Sequence, residues 1–577
     1  MQFFGGDSSG AGLIAGPATK WLRHAGPLEA ARANGQTSVT MKDRINRFTI
    51  IGGGSAGWLA ASMLMGVLNR RNDGPDVEIE LIESPTLPIL GVGEATTFST
   101  FQTFTELWIE ELDFLKHCDA TFKCAVKFSG WDLAPDGSDK SYYHPFDAPP
   151  TIYGLTPAYH YLRRQSQGIS QPSFAECMSD APPLMEACRA PRAFDAPHFE
   201  SLVNYSFHLD AGLLGEYLRH YCTALGVRYI SDDVQDVTQD EKGFIRSLEL
   251  QRGGTHPVEF VIDCSGFRSL ILRGAMKEEF IPYSDHLLCD RAMAVQIPHA
   301  EGAPLQPYTT STALESGWSW NVPLQSRRGT GYVYSSAFAS DDEAAAQFKA
   351  HLGDAGKDAE PRVIPMSIGR ARQGWVRNCL GVGLSAGFIE PLESTSIHLT
   401  QVAIRRFLDN LPDRHCAPSL VNRYNRLASS MYEDIRDFIA MHYALSNRPG
   451  PFWEAARAES AVPDTVRDRL ELWRHKLPSV LDIDTLNPLF GEWSYLYVLF
   501  GKGFYDGVDL PMTDAVADED FAELIALQEK NMAAIMAKAP DNRAFFDRLA
   551  RTETTAWYRP DAVPLPASKS VSLSSIA

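Results

Sequence analysis

The chain has 577 residues, 44% hydrophobic and 22% charged, the balance of an ordinary globular enzyme. A formal net charge of −19 excludes nucleic acid as the principal partner, because phosphate recognition needs clustered Lys and Arg. The nine cysteines form no C-x-x-C pair, and an odd count suits a reducing cytoplasm better than a disulfide framework, so no metal site is read.

Residues 1–44 are rich in Gly, Ala and Ser but lack a charged segment followed by an apolar core, so they are no secretory signal. They read as a disordered leader or an over-called start, with Met41 an alternative first residue. Arg47–Ile51 is a short β-rich run ending in a glycine turn, Gly52 to Gly57. A helical pattern follows from Trp58 to Leu68, too short to span a bilayer, so no membrane association is read. A second β-like run occupies Val77–Glu83. Further β-like runs lie at Thr121–Phe128, Val258–Asp263 and Gly331–Ser336. From about Ser396 the apolar spacing becomes helical and stays so to about Thr552, with loops around Asn447–Pro451 and Asn487–Glu492. The last stretch, 561–577, is Pro/Ser-rich and reads as a flexible tail. The fold class is therefore α/β with a Rossmann-type dinucleotide-binding core (45–445). A mainly α-helical C-terminal part (446–560) joins it in one compact body.

Gly52-x-Gly54-x-x-Gly57 lies between strand and helix, where the first glycine makes the turn and the second lets backbone approach a diphosphate. The third lets helix pack on strand, and the amides of Ser55 and Ala56 open the helix toward the anion. Glu83, closing the second strand, is placed to bond a ribose hydroxyl, and Asp263 sits between a strand and a Gly turn that could return to the cofactor. The pattern alone does not separate FAD from NAD. No second complete glycine fingerprint follows, so electrons have to arrive by another route.

Four segments carry a resemblance: GGGSAGW at Gly52–Trp58, GVGEAT at Gly91–Thr96, GWSWNVP at Gly317–Pro323 and GLSAGFIEPLESTSI at Gly383–Ile397. Together they resemble the flavin-dependent tryptophan halogenases, from about Arg47 to near residue 550. The W-x-W-x-I-P motif separates that family from related flavin monooxygenases, and here Val322 replaces its Ile.

The resemblance implies a flavin monooxygenase-like fold that binds reduced FAD, with Val92 and Gly383 added to the cofactor site. It also implies a halide, chloride or bromide, turned into hypohalous acid with oxygen, and a separate flavin reductase. Lys123 is the implied catalytic lysine and Glu393 the implied general base, whereas Glu390 acts less directly. By alternation alone Lys123 would be a solvated lysine, on the face opposite Phe122, Cys124, Val126 and Phe128. Whether it acts as a haloamine or as a hydrogen-bond donor is left open. Thr395 and the amide of Ser396 are the implied halide ligands, although Ser and Thr there also suit plain N-capping. Ser396 replaces the usual Gly, which leaves the amide but enlarges the side chain.

His144 and Phe146 match positions that sandwich the substrate ring, and Trp318 and Trp320 form a barrier between cofactor and substrate. The family's tryptophan lid carries a Tyr-Tyr pair, whereas the segment here is Asp484 to Trp493, shorter and without it. Buried ammonium and carboxylate groups need partners, so free tryptophan is expected to be a poor substrate and an indole-like compound, phenol or pyrrole a better one. Two other classes stand beside this reading: a flavin-dependent aromatic hydroxylase and a non-enzymatic flavin-binding protein. A homodimer is the default assembly.

Overall fold

The computed structural model describes residues 43–69, 77–86 and 93–554. The leader apart from its last residues, the tail at 561–577 and Val92 lie outside them. The strand, glycine turn, helix and strand read from the sequence are all present: Arg47–Ile51, then Ser55–Leu68, then Glu78–Glu83. Arg47–Ile51 is central in a six-stranded sheet whose order is Trp375–Val376, Cys379–Gly381, Phe260–Asp263, Arg47–Ile51, Glu78–Glu83, Arg228–Ser231. All neighbours run parallel except the Trp375–Val376 edge. A parallel sheet is covered on both faces, which is why Phe48, Ile50, Leu81 and Ile262 are buried on one face and Ile51, Ile82 and Val261 on the other.

Helix Ser55–Leu68 packs on this sheet, and helices Ala211–Ala224 and Ser396–Asp409 cover it. It is therefore buried along one continuous run, Gly57 to Met65.

A second sheet of seven strands supplies the other wall of the site. Its order is Arg362–Pro365, Arg291–Pro298, Arg327–Tyr334, Gly317–Pro323, Thr309–Leu314, Ala125–Leu133, Asp139–Pro145. All its pairings are antiparallel except that of Thr309–Leu314 with Ala125–Leu133.

The run Thr121–Phe128 is not the single strand that its alternation suggested. It breaks at Cys124: Thr121–Lys123 pairs with Ser206–Asp210 in a small sheet, and Ala125–Leu133 joins the large one. A change of sheet reorients every following side chain, so alternation cannot be carried across it. Lys127 stays half-buried against Glu186, at 2.9 Å, and above the Tyr143 ring. Lys123 goes inward and is 1% exposed.

After Ser396 every described regular element is helical. These helices share one hydrophobic core with the sheets, running from Ile45 to Leu549, and the described residues from Ile45 onward form one compact unit. Helix Glu492–Lys502 lies on strand Asp139–Pro145, and a Cβ at Gly501 would come within 2.5 Å of the Tyr142 ring. Near the end, Asn542 donates from its backbone to Cys188 O at 2.9 Å and from its side chain to Leu305 O at 2.8 Å.

Candidate active site

A cavity of about 470 Å³ opens at the C-terminal edge of the parallel sheet, lined by the glycine loop, Glu83, the Ser265 turn and Gly383. Each glycine has a distinct reason to be one. Gly52 has φ +112°, and a Cβ there would stand 2.3 Å from Cys264 O. A Cβ on Gly57 would meet Gly52 O at 1.9 Å, so this glycine holds helix to strand. Gly54 faces nothing within 4 Å: its missing side chain opens onto the cavity. It is also the N-cap of helix Ser55–Leu68 and places no side chain on the free amides, which leaves them for a diphosphate. Gly383, with φ +62°, brings a second backbone turn against Ala56. The cradle fits a dinucleotide cofactor.

Glu83 lines this cavity, and burial raises its carboxyl pKa while Tyr229 opposes the rise. Asp263 corrects the sequence reading. It is fully buried and does not line the cavity; its carboxylate accepts from Ser265 N and Oγ, Ser385 Oγ, Ile271 N and Leu272 N. Asp263 therefore shapes the turn whose neighbours Cys264 to Arg268 form the wall. Glu94, which the sequence reading had not assigned, also lines the cavity, and burial beside Asp210 lifts its carboxyl to about 7.

The other centre is assembled from distant segments. Pro391 begins a 3₁₀ turn to Glu393, Ser394 ends it in the left-handed region (φ 60°), and Thr395 starts helix Ser396–Asp409. That kink aims Ser394 at Lys123, whose Nζ donates to Ser394 Oγ at 3.0 Å and to Thr96 O at 3.1 Å. The Phe146 ring lies 5.4 Å from the same nitrogen. Burial lowers the Lys123 pKa to about 8, with the Glu393 charge opposing the fall. Ser394 also lines the cofactor cavity, so it stands between the two centres.

Glu393 is 3% exposed, and burial alone would favour its protonated form. Two imidazoles outweigh that: His144 Nδ1 lies 2.9 Å and His442 Nε2 3.3 Å from its Oε1, and the carboxyl is held at about 2. His144 thus meets Glu393 first, a contact the sequence reading did not foresee for a residue expected to stack on substrate. Its ring also lies near Phe438, Phe490 and Tyr497, at 5.7, 6.1 and 6.3 Å.

Thr395 is fully buried, makes no side-chain cap bond, and its Oγ1 has no partner among the described residues. Plain N-capping therefore does not account for it, and an unpaired buried hydroxyl is costly unless something else fills the place. A hydroxyl donor at the positive end of a 14-residue helix suits an anion. Ser396 is half-buried and lines the cavity.

Trp318 and Trp320 both line the cofactor cavity, 6.4 Å apart. Trp318 Nε1 donates to Glu390 Oε1 at 3.1 Å, and Tyr443 OH donates to the same oxygen at 2.6 Å. Burial lifts the Glu390 carboxyl to about 7. The two tryptophans thus stand on the cofactor side of the wall, and Trp318 braces the segment that carries Glu393. His442 and Tyr443 had no signal in the sequence, because lone polar residues in an apolar pattern read as core, whereas Ser394 lay inside the motif segment without a side-chain role being read for it.

A sequence model described as "Tryptophan halogenase" matches residues 47–518. The chain belongs to the tryptophan halogenase family. It is 36% identical over 497 residues to the tryptophan 6-halogenase ThaL of Streptomyces albogriseolus, covering 82% of this chain and 92% of that one. Among solved structures it is similar to a tryptophan halogenase from Shewanella frigidimarina NCIMB 400 (TM-score 0.82, 32% identity, 89% of this chain and 98% of that one). It is also similar to BrvH, a flavin-dependent halogenase from Brevundimonas sp. BAL3 (TM-score 0.77, 32% identity, 88% and 99%). The family fixes the enzyme as a flavin-dependent halogenase with an FAD-binding, Rossmann-type fold. Flavin-dependent halogenases as a family use FAD and halide, act on small aromatic substrates and need a separate flavin reductase. No described helix is long and apolar enough to cross a membrane.

Proposed function

We propose that this chain halogenates an electron-rich aromatic ring of the indole, phenol or pyrrole type and accepts free tryptophan poorly. Lys123 and Glu393 share the work at the ring. The observation that carries the assignment is their convergence: a buried lysine and a buried, ionised carboxylate, joined through Ser394 to the cofactor cavity.

Reduced FAD, held by Gly52, Gly54, Ser55, Ala56, Gly57, Glu83 and Gly383, supplies the two electrons that let oxygen and halide become hypohalous acid. Thr395 Oγ1 and the Ser396 amide hold the halide. Lys123, as an ammonium, spends two N–H groups on Ser394 and Thr96 and keeps the third to bond the hypohalous oxygen and polarise its halogen. Glu393, ionised, stabilises the cationic ring and takes its proton. The Trp318 and Trp320 wall keeps substrate away from the cofactor side, and Phe146 packs beside the lysine.

The substrate part rests on the lid segment. Phe490 occupies it, 5% exposed and stacked on Phe438 at 3.9 Å. Groups this apolar favour an aryl face over a zwitterion. The test is mass spectrometry of indole, phenol and tryptophan incubated with bromide, FAD and an NADH-driven flavin reductase. Bromoindole or bromophenol in clear excess over bromotryptophan is expected; abundant bromotryptophan would overturn the substrate assignment and leave the enzyme class intact.

A further inference from the structure

Both imidazoles at Glu393 face the same oxygen, Oε1: His144 Nδ1 hydrogen-bonds it at 2.9 Å, His442 Nε2 lies 3.3 Å away without hydrogen-bond alignment, and among the described residues Oε2 accepts no hydrogen bond. The two imidazoles come from different elements: His144 from strand Asp139–Pro145, and His442 from the end of helix Pro418–Ala444. His442 is fully buried and held on every side. Its ring stacks on Phe128 at 4.7 Å, and its Nδ1 lies 3.1 Å from Tyr142 OH. Tyr142 itself stacks on Phe128 at 4.9 Å and is pressed by the bare Cα of Gly501. A hydroxyl donated to Nδ1 fixes the neutral ring with its proton on Nε2, facing Glu393.

We infer that His442, set in one tautomer by Tyr142, is a positioning residue that pins Oε1 of Glu393 and reserves Oε2 for the proton of the substrate ring. This rests on Glu393 being the base in the proposed reaction. The groups that face His442 are Glu393, His144 and Tyr142, together with Lys502 of helix Glu492–Lys502, whose Nζ is paired with Asp132 at 2.8 Å. Burial pushes the His442 pKa down to about 4, so near neutral pH the ring is an uncharged donor. Its loss removes one of the two imidazoles that face the carboxylate and lower its pKa, which raises the carboxyl pKa.

The test uses full-length His442→Phe, His442→Gln and Tyr142→Phe. The acid limb of kcat/KM for bromination is expected to move to higher pH by at least one unit in His442→Phe. In that variant kcat falls roughly tenfold and KM stays within twofold. His442→Gln, whose amide can still donate, recovers part of the shift; Tyr142→Phe gives a smaller shift in the same direction. A second readout needs no turnover: isotope-edited infrared spectra of ¹³C-Glu protein, with Glu393→Gln as the reference, locate the Glu393 carboxyl titration. A titration shared by wild type and His442→Phe would overturn the inference, and so would an unmoved acid limb. A shifted titration in an enzyme that brominates none of the aromatics would instead overturn the reaction proposed for this site.

Discussion

The cofactor cradle and the Lys123–Glu393 centre stand side by side but are built by different means. The cradle is backbone: a glycine turn, a helix start and a second turn at Gly383, with little demand on side-chain chemistry. The reaction centre rests mainly on side chains: the charges of Lys123 and Glu393, withdrawn from water and faced by four partners distant in the chain, Thr96, His144, Ser394 and His442. A backbone site tolerates no added atom where chain meets chain, yet accepts one where it meets ligand. A buried-charge site tolerates no lost partner, because each unpaired group carries its full desolvation cost.

The largest effect expected from this contrast is at Lys123. Lys123→Ala should lower bromination by about 10²–10³-fold, the range for losing one hydrogen-bond donor aimed at the reacting atoms, while FAD affinity by fluorescence quenching stays within about twofold. A parallel loss of FAD binding would mean that the two centres are not separable. The pH profile sharpens the role. With the pKa lowered to about 8, an ammonium donor loses activity as pH rises through that value, and this fall is the expected result. A rise through the same pH would assign attack by the neutral amine and a haloamine.

The next pair breaks the cradle in two ways. Gly57→Ala places a Cβ 1.9 Å from Gly52 O and should cost about 1–3 kcal/mol or more, seen as a lower Tm by calorimetry. Gly54→Ala, with nothing within 4 Å, should leave Tm nearly unchanged and instead weaken FAD binding about tenfold. If both variants lose stability equally, Gly54 does not open onto the cofactor.

This difference also explains what could be read in advance. The cradle was legible because its residues are local: strand, Gly52, Gly54, Gly57 and second strand fall within about forty positions, each with a backbone reason to be what it is. The helical character after Ser396 was legible for the same reason, through its 3.6-residue apolar period. The reaction centre was reached only through family motifs. Alternation would have put Lys123 in solvent, since no pattern announces that the chain changes sheets at Cys124. His442 was invisible because its meaning depends on Glu393, 49 residues away in the chain and 3.3 Å away in space. Asp263 was legible as important but not as what it is, because one carboxylate between strand and turn can face a ligand or hold its own loop, and here it holds the loop.

Trp318 belongs to both regions and gives the smallest effect. Its ring lines the cofactor cavity, and its Nε1 supports Glu390, the residue immediately before the turn that carries Glu393. Trp318→Phe keeps a ring in the wall and removes only that hydrogen bond, for about 1 kcal/mol by urea unfolding. Glu390 keeps Tyr443, so Glu393 should stay in place and bromination should fall no more than about threefold. Trp318→Ala removes the wall as well, and hydrogen peroxide released per brominated product, measured by a coupled peroxidase assay, should then rise. If Phe and Ala raise peroxide alike, the bond to Glu390 matters more than the ring. The wall would then work by holding the Glu390–Glu393 segment, with little contribution from screening the cofactor.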